Sequence, residues 1–503
     1  MNRSCIATLC LALTGPVLFG LPQAASAAPI AVAVDSSPSG LDPHIVTAFS
    51  SFQIIEGTIY EGLTALDKSL SIVPGLAESW TISEDGKTYA FKLRSGVKFH
   101  SGAAMTSADV AASLQRVMKK ETGSPLASRL ATVEGIDTPD AETVVIRLSA
   151  PTAPLLSSLS SIAIVPAKYL DDVDTLQRKP DGTGAFKFAE WQPNVAIRLV
   201  ANPDYWQAGL PKLEGVNFDI VPEAATRQVG LASNQYQMLP NINAVTALQL
   251  KGQPGVELVD TLELSYTLVG MNVTHPLLGK AKVREAINYA INRDDIVNGA
   301  LLGAGVPGGP LSPALKQWAA SVDRFACFKH DPAKAKALLQ EAGVAGPVSL
   351  KLLVLPRDDT RAMAQIIQQQ LAAVGIDVTL TIPEIGQFVQ DWRNSNFDLF
   401  ISANAGTTEP DDYFYRSFRT GGSTNVFKYS NPELDAQLDR GRAEVDPAAR
   451  RAIYNEVQSV LACSGPAAFL TYAQLYTGMR SSVEGFDILP NRSLGSLKNV
   501  TLK

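Results

Sequence analysis

Cysteine and histidine are both scarce in this 503-residue sequence, which contains four of each. Cys5 and Cys10 lie in the apolar N-terminal stretch, so only Cys327 and Cys463 remain in the rest of the chain. Two cysteines cannot form a zinc site alone, and none of the histidines lies one helical turn from another. The sequence therefore predicts no metal site, and no motif in it indicates a resident cofactor.

Positive charge is also in short supply. Lysine and arginine number 43 against 49 acidic residues, which gives a formal net charge of −6. No basic cluster is present to neutralise phosphates, which argues against a nucleic-acid partner. The catalytic motifs H-E-x-x-H and G-x-S-x-G are absent as well. The composition and the missing motifs thus argue against nucleic-acid binding and against these catalytic classes, and they do not indicate another function.

The first 27 residues have the pattern of a secretory signal peptide. Arg3 precedes an apolar run over residues 5–21, and Ala25–Ser26–Ala27 suits signal peptidase. The run is broken by a glycine and a proline, so it is a poor membrane span, although an uncleaved N-terminal anchor is the alternative. Both cysteines of this stretch lie before or inside the apolar run, so we expect no lipidated N-terminus. Cleavage leaves 476 residues, enough for about three compact units.

Strand-like and helix-like segments alternate along the chain, with clear helix starts and stops. Asp331–Pro332, Asn431–Pro432 and Asp446–Pro447 each place a capping side chain before a proline at the first helical position. Gly343 and Gly375 follow apolar helical patterns and are expected to end them. The pattern predicts an α/β protein with mixed sheets.

Two further local signals support this reading. Thr106 and Asp109 have the spacing of a capping box, and residues 84–86 separate two alternating runs as a hairpin turn does. Residues 303–308 match G-x-G-x-x-G, but they follow a helical pattern and run into a glycine–proline segment that cannot open a helix. We therefore interpret them as a plain loop rather than a dinucleotide site.

Acidic residues cluster at Glu409, Asp411 and Asp412, after an apolar strand. Carboxylates in the first turn of a helix are ordinary partners of the helix dipole, and Pro410 indicates such a start. Paired carboxylates also carry out glycoside cleavage, but only at a separation that a sequence does not show. We favour the structural interpretation of this cluster.

Residues 73–118 carry a long and distinctive pattern. Their sequence, VPGLAESWTISEDGKTYAFKLRSGVKFHSGAAMTSADVAASLQRVM, resembles the signature block of the periplasmic solute-binding proteins of peptide/nickel ABC importers, solute-binding protein family 5. Further matching blocks follow the family's order: LDPH at 41–44, TGAFKFAEW at 183–191, NPDYW at 202–206, VREAINYAINRDDIV at 283–297, DPAKAKALLQEAG at 331–343 and YSNPELDAQL at 429–438. Several blocks in a fixed order are far more specific than any single motif.

The resemblance implies a two-lobed periplasmic binding protein clamp of type II with an extra third subdomain. One lobe takes residues 28–270, with an inserted subdomain at about 57–180, and residues 475–503 return to it. The other lobe takes residues 271–474. A clamp of this kind is expected to be a periplasmic monomer that encloses a small solute, of the peptide or opine class, and delivers it to a membrane permease. Such a protein needs no catalytic group.

A secreted hydrolase is the competing hypothesis. It would use the acids at 409–412, with His44 or His100 as a partner. A hydrolase consumes its ligand, whereas a binding protein returns it unchanged. Capture of a metal complex or haem is a third possibility within the binding class.

The resemblance also indicates which residues face the solute. In peptide-binding relatives the loop before the acid–proline pair holds an aspartate that pairs with the ligand's ammonium group, and Gly406 occupies that place here. Asp411 and Asp412 lie beyond the proline, so we do not expect them to substitute. The ligand is then opine-like, blocked or non-peptide, unless an acid from elsewhere supplies the charge. The expected contacts are Asp42, His44, Tyr266, Asn404, Gly406, Thr407, Tyr413 and Tyr415.

The two remaining cysteines are expected to form a disulfide. Exported proteins meet an oxidising compartment, where two lone cysteines pair more often than they stay free. The resemblance places Cys327 and Cys463 in the same lobe. The alternative is two separate buried thiols.

Overall fold

The computed structural model describes residues 29–404 and 406–503. The predicted signal peptide, residues 1–27, lies outside these ranges. No helix within them combines the length and apolarity that a membrane span requires.

Strands and helices alternate through the described ranges. The strands are β1 (Ile30–Val34), β2 (Thr64–Leu66), β3 (Ile72–Pro74), β4 (Ala77–Ile82), β5 (Thr88–Leu93), β6 (Val133–Asp140), β7 (Thr143–Leu148), β8 (Phe186–Gln192), β9 (Ala196–Ala201), β10 (Gly215–Ile220), β11 (Met238–Ile242), β12 (Val256–Leu262), β13 (Tyr266–Met271), β14 (Gly305–Pro307), β15 (Val348–Val354), β16 (Ile376–Thr381), β17 (Leu399–Asn404), β18 (Ala467–Arg480), β19 (Val483–Glu484) and β20 (Thr501–Leu502). The α-helices are α1 (Phe49–Ile55), α2 (Ser107–Met118), α3 (Leu155–Ser161), α4 (Ala224–Ala232), α5 (Ala244–Leu250), α6 (Ala281–Ala290), α7 (Arg293–Ala300), α8 (Pro332–Glu341), α9 (Asp358–Ala372), α10 (Ile385–Arg393), α11 (Pro410–Phe418), α12 (Pro432–Ala443) and α13 (Pro447–Ser464).

The long strand β18 joins the two halves of the main sheet. Its first part pairs with β13 and β14, and its last part pairs with β11 and β12. Beyond these pairs the sheet continues as β17-β15-β16 on one side and as β1-β10-β9-β8 on the other. Because β12 leads directly into β13, the chain also passes between the halves at residues 262–266. The sheet contains parallel and antiparallel pairs and is therefore mixed.

A separate antiparallel sheet, in the order β4-β5-β7-β6, packs against α2. Its inward side chains alternate along the strands, as in β5, where Tyr89, Phe91 and Leu93 are buried. These residues form an apolar core of their own together with Val110 and Leu114 of α2. Segregated cores of this kind allow parts of a chain to move as rigid units.

The predicted helix boundaries are confirmed. Asp331, Asn431 and Asp446 each accept a hydrogen bond from a backbone N–H of the helix that their proline opens. Gly343 and Gly375 have φ values of +73° and +91°, which explains why glycine follows those helices.

The capping box and the hairpin turn are also present. The Thr106 backbone N–H donates to Asp109 Oδ2 over 2.8 Å at the start of α2. Residues 84–86 lie between β4 and β5, and Gly86 has a φ of +67°. The G-x-G-x-x-G stretch differs from the plain loop that we expected. Residues 305–307 form β14 because β18 runs alongside and supplies their hydrogen-bond partners.

The predicted disulfide is confirmed. Cys327 and Cys463 are bonded, with their Cα atoms 5.7 Å apart. Cys463 lies near the end of α13, and the bridge ties that helix to the turn before α8 across 136 residues of sequence. Cys327 is fully buried beside Phe325 and Ala462, where solvent does not reach it.

Candidate functional site

A cavity of about 490 Å³ lies where segments from both halves of the main sheet meet. Residues 43–66 and 490–492 line it from the half that contains β1, and residues 126–163 from the region of the four-stranded sheet. Residues 264–265 and 406–412 line it from the other half, next to β13 and β17. This size is typical of sites for small molecules.

Much of the cavity wall is apolar. Val46, Phe52, Ile55, Leu66 and Leu126 contribute side chains to it. Because water is weakly held against such surfaces, a solute with apolar groups gains free energy by displacing it. The few charged groups in the cavity then decide which solute fits.

Five acidic or basic side chains line the cavity, and two of them are occupied by protein partners. Glu61 accepts hydrogen bonds from Thr183, Tyr205 and Trp206 at 2.7–3.0 Å. Arg492 forms an ion pair with Glu263, outside the cavity lining. The other three are Glu56, Arg129 and Asp412.

Glu56 immediately follows α1, as its C-cap residue. Its Oε2 atom is buried and has no hydrogen-bond partner in the described part of the chain. Burial raises the pKa of Glu56 to about 8, and the nearby positive charge of Arg129 opposes this shift only in part. A carboxyl group held in this way gains strongly from a new cationic or hydrogen-bonding partner.

Arg129 lies in a 3-10 helix, Ala127–Leu130, and is half-buried. Its Nη1 atom donates to Ser161 Oγ over 2.5 Å, the single hydrogen bond that its side chain makes to the described residues. A guanidinium group has five N–H donors in a planar fork that matches a carboxylate. Arg129 therefore retains donors for a solute.

The three acids of the 409–412 cluster have different surroundings. Glu409 pairs with Arg450 within 3.1 Å in the interior, and also accepts from the Asp411 backbone N–H at the start of α11. Asp411 is held by Arg442 at 2.7 Å. These two carboxylates stabilise the packing of α11 against α12 and α13 and do not face the cavity.

Asp412 is the member of this cluster that lines the cavity. Burial raises the pKa of Asp412, while Arg129 is the strongest of the charges that lower it. Arg416 and Arg442 act in the same direction, but no hydrogen bond or ion pair joins Asp412 to the described residues. The helical turn of α11 explains why Asp411 and Asp412 have different surroundings, because consecutive side chains of a helix point in different directions.

Gly406 and Thr407, both expected to contact a solute, do line the cavity. A Cβ atom at position 406 would overlap the backbone carbonyl of Leu264. The close approach of these two segments therefore requires glycine, and no carboxylate fits at position 406 in this arrangement.

Asp42 and His44, by contrast, lie in a fully buried cluster away from the cavity lining. Arg116 of α2 donates to both Asp42 oxygens, at 3.0 and 2.6 Å, and to the backbone carbonyls of Tyr169 and Asp172. This cluster fixes α2 against the chain before α1.

The contacts of His44 define its protonation. Its Nε2 lies 2.8 Å from the Ala163 carbonyl oxygen and its Nδ1 lies 3.0 Å from Arg116 Nη1. Since the carbonyl only accepts and the guanidinium only donates, Nε2 carries the proton and Nδ1 accepts. The pKa of His44 is lowered to about 4, and burial is the largest cause of this shift. The ring is therefore neutral.

The expected aromatic contacts and Asn404 are not among the residues that line the cavity. Tyr266 and Tyr413 are buried, with ring centroids 4.5 Å apart. Asn404 pairs with Tyr266 across β13 and β17 and accepts from Ser402. The Arg442 guanidinium covers the Tyr415 ring at 3.2 Å.

Sequence reasoning missed Glu56 and Arg129 as cavity residues. Neither belongs to a motif that indicates a ligand, and they come from two distant segments. Asp412 stood in a loop that was singled out, but its direction depends on the phase of a helix that the pattern does not fix. No group of three or more potential metal ligands occurs among the described residues.

Comparison with known proteins identifies the family. The profile described as "Bacterial extracellular solute-binding proteins, family 5 Middle" matches residues 71–425. The glutathione-binding protein GsiB of Pectobacterium atrosepticum is 30% identical over 475 residues, covering 92% of this chain and 91% of that protein. The dipeptide-binding protein of Escherichia coli is 28% identical over 494 residues, covering 91% of each. These relatives are binding proteins.

A solved structure shows the same architecture. The binding protein AgaA from A. tumefacien R10, in complex with agropinic acid, superposes with a TM-score of 0.76 at 28% identity. The match covers 94% of this chain and 99% of that one. The predicted two-lobed α/β fold is thereby confirmed. The chain belongs to family 5 of the bacterial extracellular solute-binding proteins, which deliver solutes to ABC importers.

Proposed function

We propose that this protein captures a small peptide- or opine-like solute between its lobes in the periplasm and passes it unchanged to the permease of an ABC importer. The observation that carries the proposal is the cavity itself, whose walls come from both halves of the main sheet. A solute that contacts both walls favours the closed arrangement over the open one, so binding shifts the population toward closure.

The lobes are proposed to divide as the sequence resemblance implies. One comprises residues 28–270 and 475–503, with an inserted subdomain at about 57–180, and the other comprises residues 271–474. Support comes from the two places where the chain passes between the halves of the sheet, the link at residues 262–266 and the middle of β18. Two such strands are suited to act as a hinge.

The residues proposed to contact the solute are Gly406 and Thr407, together with the charged groups of the cavity. Asp42 and His44 are proposed to act indirectly, because their cluster with Arg116 fixes the segment that leads into the cavity wall. Residues 406–412 are proposed to be held in place by the elements that adjoin them, which carry Tyr266 and Asn404 in β13 and β17 and Tyr413 and Tyr415 in α11.

Chemistry on the solute is not part of the proposal. Glu409 and Asp411 are neutralised by Arg450 and Arg442, which leaves Asp412 as the one acid of the 409–412 cluster that lines the cavity. His44 is buried with both ring nitrogens occupied, so it has no free position from which to act as a base. The relatives named above are binding proteins, in agreement with this view.

Periplasmic location and a monomeric state complete the proposal. The pattern over residues 1–27 predicts cleavage after Ala27, and the Cys327–Cys463 disulfide suits an oxidising compartment. N-terminal sequencing of periplasmic material is expected to begin at Ala28. A retained Met1 or a lipidated cysteine would contradict this part of the proposal.

A thermal-shift screen of the mature chain against peptides, opines, sugars and metal chelates tests the function. We expect a rise in Tm with at least one peptide or opine, and chromatography should recover that solute intact. Ser160 lies on α3 and lines the cavity, and its Oγ donates a hydrogen bond to a backbone carbonyl. Ser160→Trp should fill the cavity and abolish the rise.

The matched control is Ser459→Trp. Ser459 is exposed on α13, and its Oγ likewise bonds a backbone carbonyl. The Ser459→Trp variant should show the same rise in Tm with the solute as the unaltered protein. An equal response from Ser160→Trp, or conversion of the solute into a product, would overturn the proposed function.

A further inference from the structure

Leu70 carries a side chain from one proposed lobe into the apolar core of the other. It stands in the turn of residues 67–71, between β2 and β3, in the inserted subdomain. Only 1% of its surface is exposed. The other buried residues of its apolar core come from residues 264–472, and Leu311 and Leu315 are among them. The turn therefore joins the inserted subdomain to the second lobe.

The backbone of Leu70 is held in an unfavourable conformation. Its φ is +61°, in the left-handed region, where the Cβ atom of a leucine causes strain. The Asp67 side chain fixes this turn, because it accepts hydrogen bonds from the backbone N–H groups of Ser69 and Ser71 at 2.8 and 2.9 Å. The Asp67 carbonyl also accepts from the Leu70 N–H at 2.9 Å. Strain of this kind persists where surrounding contacts compensate for it, and it is found most often at functional segments.

Hydrogen bonds from the second lobe hold the same turn. Gln317 Nε2 donates to the Leu70 carbonyl oxygen over 3.3 Å, and Gln317 Oε1 accepts from Ser71 Oγ over 3.4 Å. Among the described residues, one other side-chain hydrogen bond joins residues 57–180 to residues 271–474, between Ser157 and Thr408. The 67–71 turn therefore supplies a substantial part of the contact between these two regions.

The turn lies next to the cavity. Leu66 is the last residue of β2, and it both lines the cavity and packs against the core that contains Leu70. Leu264, in the link between the lobes, also belongs to that core and lines the cavity. The lobes cannot separate at this wall of the cavity unless Leu70 leaves the core.

We propose that the 67–71 turn is a latch, in which Leu70 enters the second lobe when the clamp closes and leaves it when the clamp opens. This inference rests on the proposed function and its division into lobes. It adds a contact that favours closure whichever solute is bound. Burial of a leucine side chain favours the buried state by about tenfold to a hundredfold. Because apparent affinity follows the population of the closed form, the latch raises the affinity for every solute by the same factor.

The competing interpretation is that Leu70 packs permanently against the second lobe. The inserted subdomain would then move together with that lobe, and the clamp would open elsewhere. Under that interpretation Leu70 stabilises the fold, but its exposure does not depend on the solute. The two interpretations therefore differ in whether solute binding changes the accessibility of position 70.

Calorimetry of the variant Leu70→Asn tests the energetic part of the proposal. Asparagine tolerates the left-handed conformation, so the turn is kept while the apolar side chain is lost. The probes are unmodified di- to pentapeptides and opines, titrated into the mature chain. Each probe that binds the unaltered protein should bind Leu70→Asn about tenfold or more weakly, by a factor common to all of them. Ser69→Asn is the matched control at the neighbouring exposed position, and its affinities should stay within about twofold.

Alkylation of the variant Leu70→Cys tests the movement. The mature chain has no other free thiol, because its two cysteines form the Cys327–Cys463 disulfide. A saturating concentration of the tightest-binding peptide should slow the reaction of this thiol with iodoacetamide at least tenfold. The thiol of Ser69→Cys, on the exposed part of the same turn, should react at the same rate with and without the peptide.

The outcomes distinguish this inference from the proposed function. Equal alkylation of Leu70→Cys with and without peptide, or unchanged affinities in Leu70→Asn, would overturn the latch while the protein remains a binding protein. Losses of affinity that differ between probes would instead make Leu70 a solute contact and also overturn it. If no probe binds and the thermal-shift screen finds no solute, the proposed function fails and the latch fails with it. Circular dichroism must show a native fold for each variant, and if one of the two Leu70 variants does not fold, the other decides.

Discussion

Replacing Asp42 by alanine tests whether the buried cluster with Arg116 is structural. In the intact protein both side chains are fully buried, and the Asp42 oxygens accept from Arg116 at 3.0 and 2.6 Å and from the His44 backbone N–H at 2.9 Å. Asp42→Ala leaves the Arg116 guanidinium buried without a counter-charge. The remaining acceptors around it are the neutral carbonyls of Tyr169 and Asp172 and the ring of His44.

The expected loss follows from what an isolated buried charge costs. Removing one partner of a buried ion pair lowers the free energy of unfolding by about 3–5 kcal/mol. An exposed pair behaves differently, because water solvates the charge that is left, and its loss costs at most about 1 kcal/mol. Lys98 and Asp204 provide such a pair, 3.0 Å apart with both side chains about half exposed.

Chemical denaturation of Asp42→Ala and Asp204→Ala beside the unaltered protein measures both losses. We expect the free energy of unfolding to fall by about 3–5 kcal/mol in Asp42→Ala and by less than about 1 kcal/mol in Asp204→Ala. Asp42→Ala that still folds should bind solute with at most a modest loss of affinity, because Asp42 fixes the segment before the cavity wall without lining the cavity. A loss below about 1 kcal/mol together with a large fall in affinity would instead show that Asp42 contacts the solute.

Three other predictions concern the disulfide, the buried histidine and closure. Replacing Cys327 and Cys463 by alanine should lower the free energy of unfolding by a few kcal/mol, because the disulfide closes a loop of 136 residues. Two thiols that can be alkylated in the unaltered native protein would contradict the disulfide. Burial lowers the pKa of His44 from 6.5 to about 4. Between pH 4 and pH 6.5 the unfolded chain therefore binds more protons at this residue than the folded protein does. The free energy of unfolding should fall by about 3 kcal/mol as the pH drops from 6.5 to 4. Denaturation curves of His44→Gln should lose this part of the pH dependence, and an unchanged slope would assign it to other groups. Small-angle scattering should show a smaller radius of gyration at saturating solute with no change in molecular mass, and a constant radius would argue against a clamp.

Features set by neighbours in sequence were predictable here. The caps at Asp331, Asn431 and Asp446 follow from short-range hydrogen bonds, and Gly343 and Gly375 adopt the left-handed conformation that their places require. The family resemblance added the two-lobed architecture, which no local pattern contains.

The composition of the cavity was less predictable, because it depends on contacts between distant segments. The LDPH motif drew attention to Asp42 and His44 as ligand contacts, but Arg116, 74 residues further along, engages the Asp42 side chain in the interior. Glu56 and Arg129 had no local signal because each becomes a cavity residue only when three separate segments meet. Whether Asp412 lines the cavity could not be read from the sequence, because it depends on the rotation of α11 about its axis, and Asp411 and Glu409 pair with arginines on the neighbouring helices.

Native mass spectrometry of the mature protein, mixed with a defined panel of di- to pentapeptides and opines, shows whether the protein binds a solute and releases it unchanged. We expect a monomer that carries one solute molecule, and this solute should be recovered at its original mass when the complex is dissociated. A solute released with an altered mass, or the absence of a complex with every member of the panel, would contradict it.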